Sequence, residues 1–329
     1  LKYDFVNSPE IGEYADVFDY VIHYFEKGTG DPLIMIHGLG QSMYTFRKNI
    51  DELSRNFRVI ALDLPGHGYS DVPETDYTID QFTNALIVFM SVLRIEKAHF
   101  FAFSTGAVIA LNLAALYPEK VDRMILISPG GITKHYPFSI KALRMPIISD
   151  IMLTWGFTKK KIYNALLTAY FDRTMINEKM VEQIFEPFKN PETRDAFSIA
   201  LRNFDDHIVY ESLGSLTMPI YIFWGECDRW HPMEMLQEFA ELLPFAFIAT
   251  VRNSGHMIHE EKSREINRKV TECLLEPLVR PAEEEHIEGE IAAPADNGDY
   301  AEENTDNLEK IRESLSKMDP TQLDDYEDR

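Results

Sequence analysis

The spacing of apolar and polar positions changes several times along the chain, and each change marks an element. From Phe18 to Phe25 aromatic and β-branched residues alternate with polar ones, Gly28 and Gly30 interrupt, and Leu33 to Ile36 run on as an unbroken apolar stretch. That predicts a hairpin leading into a buried strand. Helical spacing is expected around Phe46 to Ser54, and a second buried strand over Arg58 to Leu62. Thr78 to Leu93 carries Ile79, Phe82, Leu86, Phe89, Met90 and Leu93 on one helical face, with Thr78 and Gln81 placed as a capping box. Next comes an aromatic run, Phe100 to Phe103, which turns abruptly at Ser104 into the small and apolar residues of a helix ending near Tyr117 and Pro118. Val121 to Ile127 is a further buried strand, so strand alternates with helix as in a parallel sheet.

At Ile132 the alternation stops. Residues 132–212 hold no convincing strand, only amphipathic stretches such as Lys160 to Tyr170 and Glu178 to Phe188, broken by prolines. The sheet pattern resumes at Pro219 to Trp224, followed by a helix around Pro232 to Leu243, a strand over Ala246 to Val251 and a helix over Lys262 to Leu275. The expected organisation is an α/β core of residues 1–131 and 213–280, an inserted helical cap at 132–212 and a tail at 281–329.

Composition changes this picture mainly at the C-terminus. From Glu276 onward there are 18 acidic against 5 basic residues, so more than half of the net charge of −22 sits there. Apolar residues are too sparse in that stretch to offset the entropy of ordering it, which predicts a mostly disordered tail. One piece, Asp306 to Met318, spaces Leu308, Ile311, Leu315 and Met318 helically and would be a marginal helix by itself. Net negative charge disfavours nucleic acid and anionic membrane surfaces as partners, and favours a neutral or apolar substrate. The longest apolar run, Ala85 to Leu93, is far short of the roughly 18 residues of a membrane span. Cys227 and Cys273 have no metal-ligand spacing and read as free thiols in a reducing, cytoplasmic compartment. No signal-peptide pattern opens the chain at Leu1.

Candidate chemistry gathers at strand ends. Ser104 stands at the tip of a strand-turn-helix segment, with Ala102 two residues before it and Gly106 two after, as in a nucleophile elbow. Asp228 and His256 each follow a later predicted strand. In a parallel sheet the carboxyl ends of strands share one edge, so the three can converge. A free serine hydroxyl is a poor nucleophile at neutral pH; His256 would take its proton and Asp228 would hold the imidazole. Alone, each residue reads more simply as a turn serine, a capping aspartate or a filler histidine. The joint order, with the loop His37, Gly38, Leu39, Gly40 at another strand end, is what carries the assignment. The N–H groups of Leu39 and Thr105 would form the oxyanion hole.

These motifs resemble the α/β-hydrolase superfamily, in its capped branch of esterases, meta-cleavage C-C hydrolases, epoxide hydrolases and haloalkane dehalogenases. The likeness runs from Tyr20 to Leu275 and rests on His37 to Gly40, Asp63 to Asp71, the elbow, Trp224 to Asp228, and Ser254 to His256. It implies the α/β-hydrolase fold, a mostly parallel central sheet flanked by helices with an inserted helical cap. Epoxide hydrolases and dehalogenases carry aspartate where this chain has Ser104, which disfavours those chemistries. Ala102 replaces the usual first glycine of the elbow. Glu226 competes with Asp228 as the acid, but Asp228 fits the family spacing better. His259 falls in the following helix and reads as structural, while His37 and His67 would shape loops.

The expected function is hydrolysis of a carboxylic ester or related small acyl substrate through an acyl-enzyme on Ser104, without cofactor or metal. The same triad would also serve a C-C bond hydrolase, an acyltransferase or a perhydrolase. A non-catalytic ligand receptor or interaction protein, with the acidic tail engaging a protein partner, is the alternative from another class. Cap residues Met152, Trp155 and Phe157 are candidates to line a pocket for an apolar acyl or aryl substrate, although such residues more often pack a cap against its core.

Overall fold

The computed structural model describes residues 8–138, 157–204 and 213–275, together with 141 and 145. Residues Leu1–Glu276 make up one compact unit; Pro277–Arg329 lies outside the described residues, as do the predicted disordered tail and the helix predicted over Asp306 to Met318.

Eight strands form one sheet: β1 (Glu13–Val17), β2 (Tyr20–Lys27), β3 (Pro32–Ile36), β4 (Arg58–Leu62), β5 (Ala98–Phe103), β6 (Val121–Ile127), β7 (Ile220–Gly225) and β8 (Phe247–Val251). Their order is β1-β2-β4-β3-β5-β6-β7-β8. The first two pairings, β1 with β2 and β2 with β4, are antiparallel, and all later ones are parallel. The predicted hairpin is therefore placed differently: β2 turns back on β1, and its other edge pairs with β4 rather than with β3, its neighbour in sequence. Strand β1 escaped the pattern because Glu13, Tyr14 and Asp16 face solvent, leaving only Ala15 and Val17 as apolar signal.

The helices are α1 (Ile50–Leu53), α2 (Ile79–Val92), α3 (Thr105–Leu116), α4 (Lys159–Ala169), α5 (Glu178–Phe185), α6 (Pro191–Asn203), α7 (Met233–Leu242), α8 (Ile258–Glu261) and α9 (Ser263–Leu275). The helix expected over Phe46 to Ser54 is split into a 3-10 turn at Met43–Phe46 and the short α1. The α2 capping box forms as expected: Thr78 Oγ1 accepts from Gln81 N at 3.3 Å, and the Gln81 side chain accepts from Thr78 N at 3.0 Å.

Strand alternation divides the interior between two faces. Phe100 and Ala102 of β5 point into one apolar cluster with α2, α3 and α7, and Phe101 and Phe103 point into the other with α9. Strand β5 is buried at every position, so its end lies deep in the sheet, and the turn that follows is held from both sides. Between β6 and β7 the described residues hold helices but no strand, and Ile162, Leu166 and Met180 of that segment join the second cluster. No helix of the described residues is long and apolar enough to cross a membrane.

Candidate active site

Ser104 occupies the turn between β5 and α3 with φ 53° and ψ −116°, a left-handed backbone that a non-glycine residue holds only when its surroundings compel it. Three hydrogen bonds do so. Ser104 N donates to Ile127 O at 3.0 Å, and Ser104 O accepts from Ala107 N at 3.1 Å and Gly130 N at 3.2 Å. The turn also needs a small residue at Gly106, where a Cβ would stand 2.4 Å from Ile36 O and 2.5 Å from His37 O. Ala102 two residues earlier is accommodated with full burial.

Asp228 follows β7 and His256 follows β8, and the structure brings the two together: His256 Nδ1 lies 2.7 Å from Asp228 Oδ2, with both side chains 1% exposed. The other carboxylate oxygen, Oδ1, accepts Trp230 N at 2.8 Å and His231 N at 2.9 Å. Burial alone would push the Asp228 carboxyl up, but the adjacent His256 and the His231 N–H outweigh it and hold it below its ordinary value. A carboxylate so held keeps the proton of the imidazole on Nδ1, which leaves Nε2 as the basic atom. His256 Nε2 is buried and has no hydrogen-bond partner among the described residues. The ring is wedged between Phe103 at 4.8 Å, Trp230 at 5.2 Å and the edge of His231 at 4.5 Å, centroid to centroid. Phe103 directly precedes Ser104, so the turn and the imidazole share a wall.

Leu39 lies in the loop after β3 and Thr105 directly follows Ser104. Gly38 brings the first loop against the turn, its Cβ position being 3.0 Å from Ser104 Cβ, and Thr105 is the first residue of α3, where backbone N–H groups are unsatisfied by the helix. Neither the Leu39 nor the Thr105 N–H donates to an acceptor among the described residues. The loop is shaped by two buried histidines. Leu64 N donates to His37 Nε2 at 3.0 Å, so the proton sits on Nδ1, which is 2.7 Å from Gly38 O. His67 is desolvated beside His37, which pushes it down to about 3.

Of the competing residues, Glu226 is exposed and has no part in the pair. His259 is buried in α8, where the Thr45 hydroxyl donates to Glu260 Oε1 at 3.2 Å and takes the His259 Nε2 proton at 2.8 Å. Burial pushes its imidazole down to about 3, as a structural neutral group. Cys227 and Cys273 are free thiols.

Among the predicted pocket residues, Met152 and Trp155 lie outside the described residues. Phe157 packs against Phe188 with ring centroids 4.2 Å apart and meets Phe197 edge-on at 6.2 Å. Phe197 itself presses on the first loop, since a Cβ on Gly40 would stand 2.7 Å from its ring. Tyr170, at the end of α4, donates its hydroxyl to Glu260 Oε2 at 2.6 Å and so packs the helical segment on the core.

His231 escaped the sequence reading. Its Nδ1 lies 2.9 Å from Ser128 O, Tyr136 stacks on it at 5.4 Å, and burial pushes it down to about 3. A histidine three residues after the acid, in a loop, gives no periodic signal. Asp228, His231 and His256 offer donor atoms within 4.8 Å of one another, a spacing open to a metal ion. Asp228 and His256 are already joined to each other as an acid–imidazole pair, a bond that competes with such an ion.

A family profile described as alpha/beta hydrolase fold matches residues 31–263. The chain belongs to that family. Within it, this alpha/beta hydrolase is 28% identical over 257 residues to an uncharacterized hydrolase, YugF, of Bacillus subtilis (strain 168), spanning 78% of this chain and 93% of the relative. It is 29% identical over 270 residues to the 2-hydroxy-6-oxo-6-phenylhexa-2,4-dienoate hydrolase of Comamonas testosteroni, spanning 79% and 93%. Among solved structures it is similar to the meta-cleavage product hydrolase of Pseudomonas fluorescens IP01, in a serine-to-alanine variant complexed with acetates, with a TM-score of 0.70 and 27% identity over 81% of this chain and 98% of that one. The relatives and the family place the chain among alpha/beta hydrolase enzymes.

Proposed function

We propose that this alpha/beta hydrolase is a serine hydrolase acting on a small apolar acyl substrate through an acyl-enzyme on Ser104. The observation that carries the reading is a strained, half-buried serine at the end of β5 together with a buried imidazole after β8 whose Nδ1 is held by Asp228 and whose Nε2 has no hydrogen-bond partner among the described residues. In the first half-reaction Ser104 Oγ attacks the carbonyl carbon while His256 Nε2 takes the hydroxyl proton, and Asp228 stabilises the imidazolium. The carbonyl oxygen becomes an oxyanion beside the Leu39 and Thr105 N–H groups, a contact worth on the order of 3 kcal/mol of the barrier per donor. His256 then gives its proton to the departing alkoxide. In the second half-reaction water gives its proton to His256, attacks the acyl-enzyme, and releases the acid as Ser104 recovers its hydrogen.

The substrate is assigned as a carboxylic ester or a related acyl compound without need of metal or cofactor. The segment 132–212 acts as a cap, with Phe157, Phe188 and Phe197 offering an apolar wall near the oxyanion loop. A second reading, hydrolysis of a C-C bond beside a carbonyl, is favoured by the activities for which the Comamonas testosteroni and Pseudomonas fluorescens hydrolases are named.

A fluorophosphonate probe should label the parent chain and fail to label Ser104→Ala; equal labelling of both, or of neither, would refute the assignment. Turnover of p-nitrophenyl esters against a ring-cleavage dienoate then separates the two bonds, since activity on the esters alone removes the C-C reading.

A further inference from the structure

The end of α4 is attached to the loop that carries His256 by a set of contacts in which main-chain groups dominate. A helix leaves its last carbonyls without partners; here the carbonyl of Ala169, the final residue of α4, accepts the N–H of His256 itself at 2.7 Å. Two and three residues further on, Phe171 and Asp172 donate their N–H groups to Glu261 Oε1 at 2.8 and 2.9 Å. Glu261 Oε2 accepts Gly255 N at 2.7 Å, from the residue before His256. One carboxylate thus grips both sides of the joint. The fit is close: a Cβ on Gly255 would stand 2.4 Å from Ala169 O and 2.9 Å from Phe171 N. A parallel tie runs through Trp230, which lies against the His256 ring and donates its Nε1 to Thr168 Oγ1 at 2.8 Å.

We propose that Glu261 is a positioning residue for His256: by accepting the N–H groups of Gly255, Phe171 and Asp172 together, it fixes the backbone under the imidazole to the end of α4. The assignment rests on the reading of His256 as the base. Because Ala169 O is reached only when α4 is seated, the orientation of the imidazole and the seating of the helical segment become one event. Burial pushes the Glu261 carboxyl up while its three N–H partners pull it down, as befits a carboxylate sheltered from water by the joint it makes. Neutral glutamine cannot reproduce this, because it offers one carbonyl where two faces need acceptors, and its NH2 must oppose either Gly255 N–H or the Phe171 and Asp172 pair.

The test uses the full chain with Glu261→Gln, Glu261→Ala and Gly255→Ala, and with Glu272→Gln on the exposed face of α9 as the control. Two quantities are read for each: the second-order rate of fluorophosphonate labelling at Ser104, and kcat and KM for p-nitrophenyl butyrate. The labelling rate and kcat should fall about 10- to 100-fold for Glu261→Ala and Gly255→Ala, as expected for a displaced catalytic group, with KM moving far less. Glu261→Gln should fall in between, and Glu272→Gln should match the parent. Amide hydrogen exchange at His256 should quicken in the three joint variants, a readout independent of turnover. Rates that fall only in proportion to the folded fraction seen by circular dichroism, or unchanged labelling and unchanged exchange, overturn the assignment. A parent chain unlabelled at Ser104 brings down the serine-hydrolase reading, and this assignment with it; a labelled parent with unaffected variants brings down this assignment alone.

Discussion

Asp228 Oδ2 lies 2.7 Å from His256 Nδ1, and the same carboxylate is fixed by two further N–H groups on its other oxygen. The geometry leaves the carboxylate no freedom to serve another partner, so in the proposed mechanism it would hold the tautomer and balance the imidazolium. Asp228→Asn keeps the shape and removes both functions. The kcat should fall by about 10⁴-fold with little change in KM. Ester hydrolysis followed in the stopped-flow checks it, and a loss under about tenfold would mean that His256 does not act as the base in this way.

Three buried imidazoles make stability depend on pH. His67, His231 and His259 are each pushed down to about 3 by desolvation, from an ordinary value of 6.5. Their folded values lie below their unfolded ones, so as the pH falls through 6.5 the unfolded chain takes up protons that the folded chain refuses. Stability is therefore full above about pH 6.5 and drains away toward pH 3, at up to about 1.4 kcal/mol per pH unit for each histidine. The depressed carboxyls of Asp228 and Glu260 continue the loss below pH 4, where they must be protonated. Urea unfolding at pH 6.5, 5.5 and 4.5 should show the midpoint dropping at each step, and a flat series would contradict the buried neutral state.

What the sequence made legible was what rests on local spacing. Strands β5 and β7 read as mainly apolar runs because nearly all their positions are buried, and Ser104 and Asp228 drew attention because each follows such a run; His256 follows the half-exposed edge strand β8, whose signal is weaker. The pairing of β2 with β4 was not legible, since it is decided by which edge of the finished sheet remains open. The expected helix from Phe46 breaks because Asn49 turns its side chain away to His259 O at 3.0 Å and Asn267 Oδ1 at 2.7 Å, partners more than two hundred residues later. Glu261 and His231 were invisible for the same reason. Their partners are main-chain groups or rings brought in by other elements, and no spacing along the chain announces them.

Arg47 and Glu260 form an ion pair with side chains 11% and 2% exposed, and Tyr170 adds its hydroxyl to the same carboxylate oxygen. Burial disfavours both charges, but their mutual attraction prevails, raising Arg47 and lowering Glu260. Removing one partner strands the other without water. Arg47→Met should cost about 3–5 kcal/mol of stability, whereas Arg47→Met with Glu260→Gln should cost less than the sum of the two single changes. Urea unfolding of the four members of the cycle checks it. Additive losses would show that the pair is not coupled.

The contact between Gly40 and Phe197 joins the loop after β3 to the helical segment, and it can be tested in the same manner. Gly40 has φ 70°, and an added Cβ would stand 2.7 Å from the Phe197 ring. Two penalties therefore fall on Gly40→Ala: about 1–2 kcal/mol for the left-handed backbone, and about 1–3 kcal/mol for crowding the ring. Only the second depends on Phe197. In a Phe197→Ala background the cost of Gly40→Ala should shrink to the backbone part alone, and kcat lost through the displaced loop should recover in step with it. Should Gly40→Ala cost the same in both backgrounds, the aromatic wall does not bear on the loop, and Phe197 would lose its place beside the substrate.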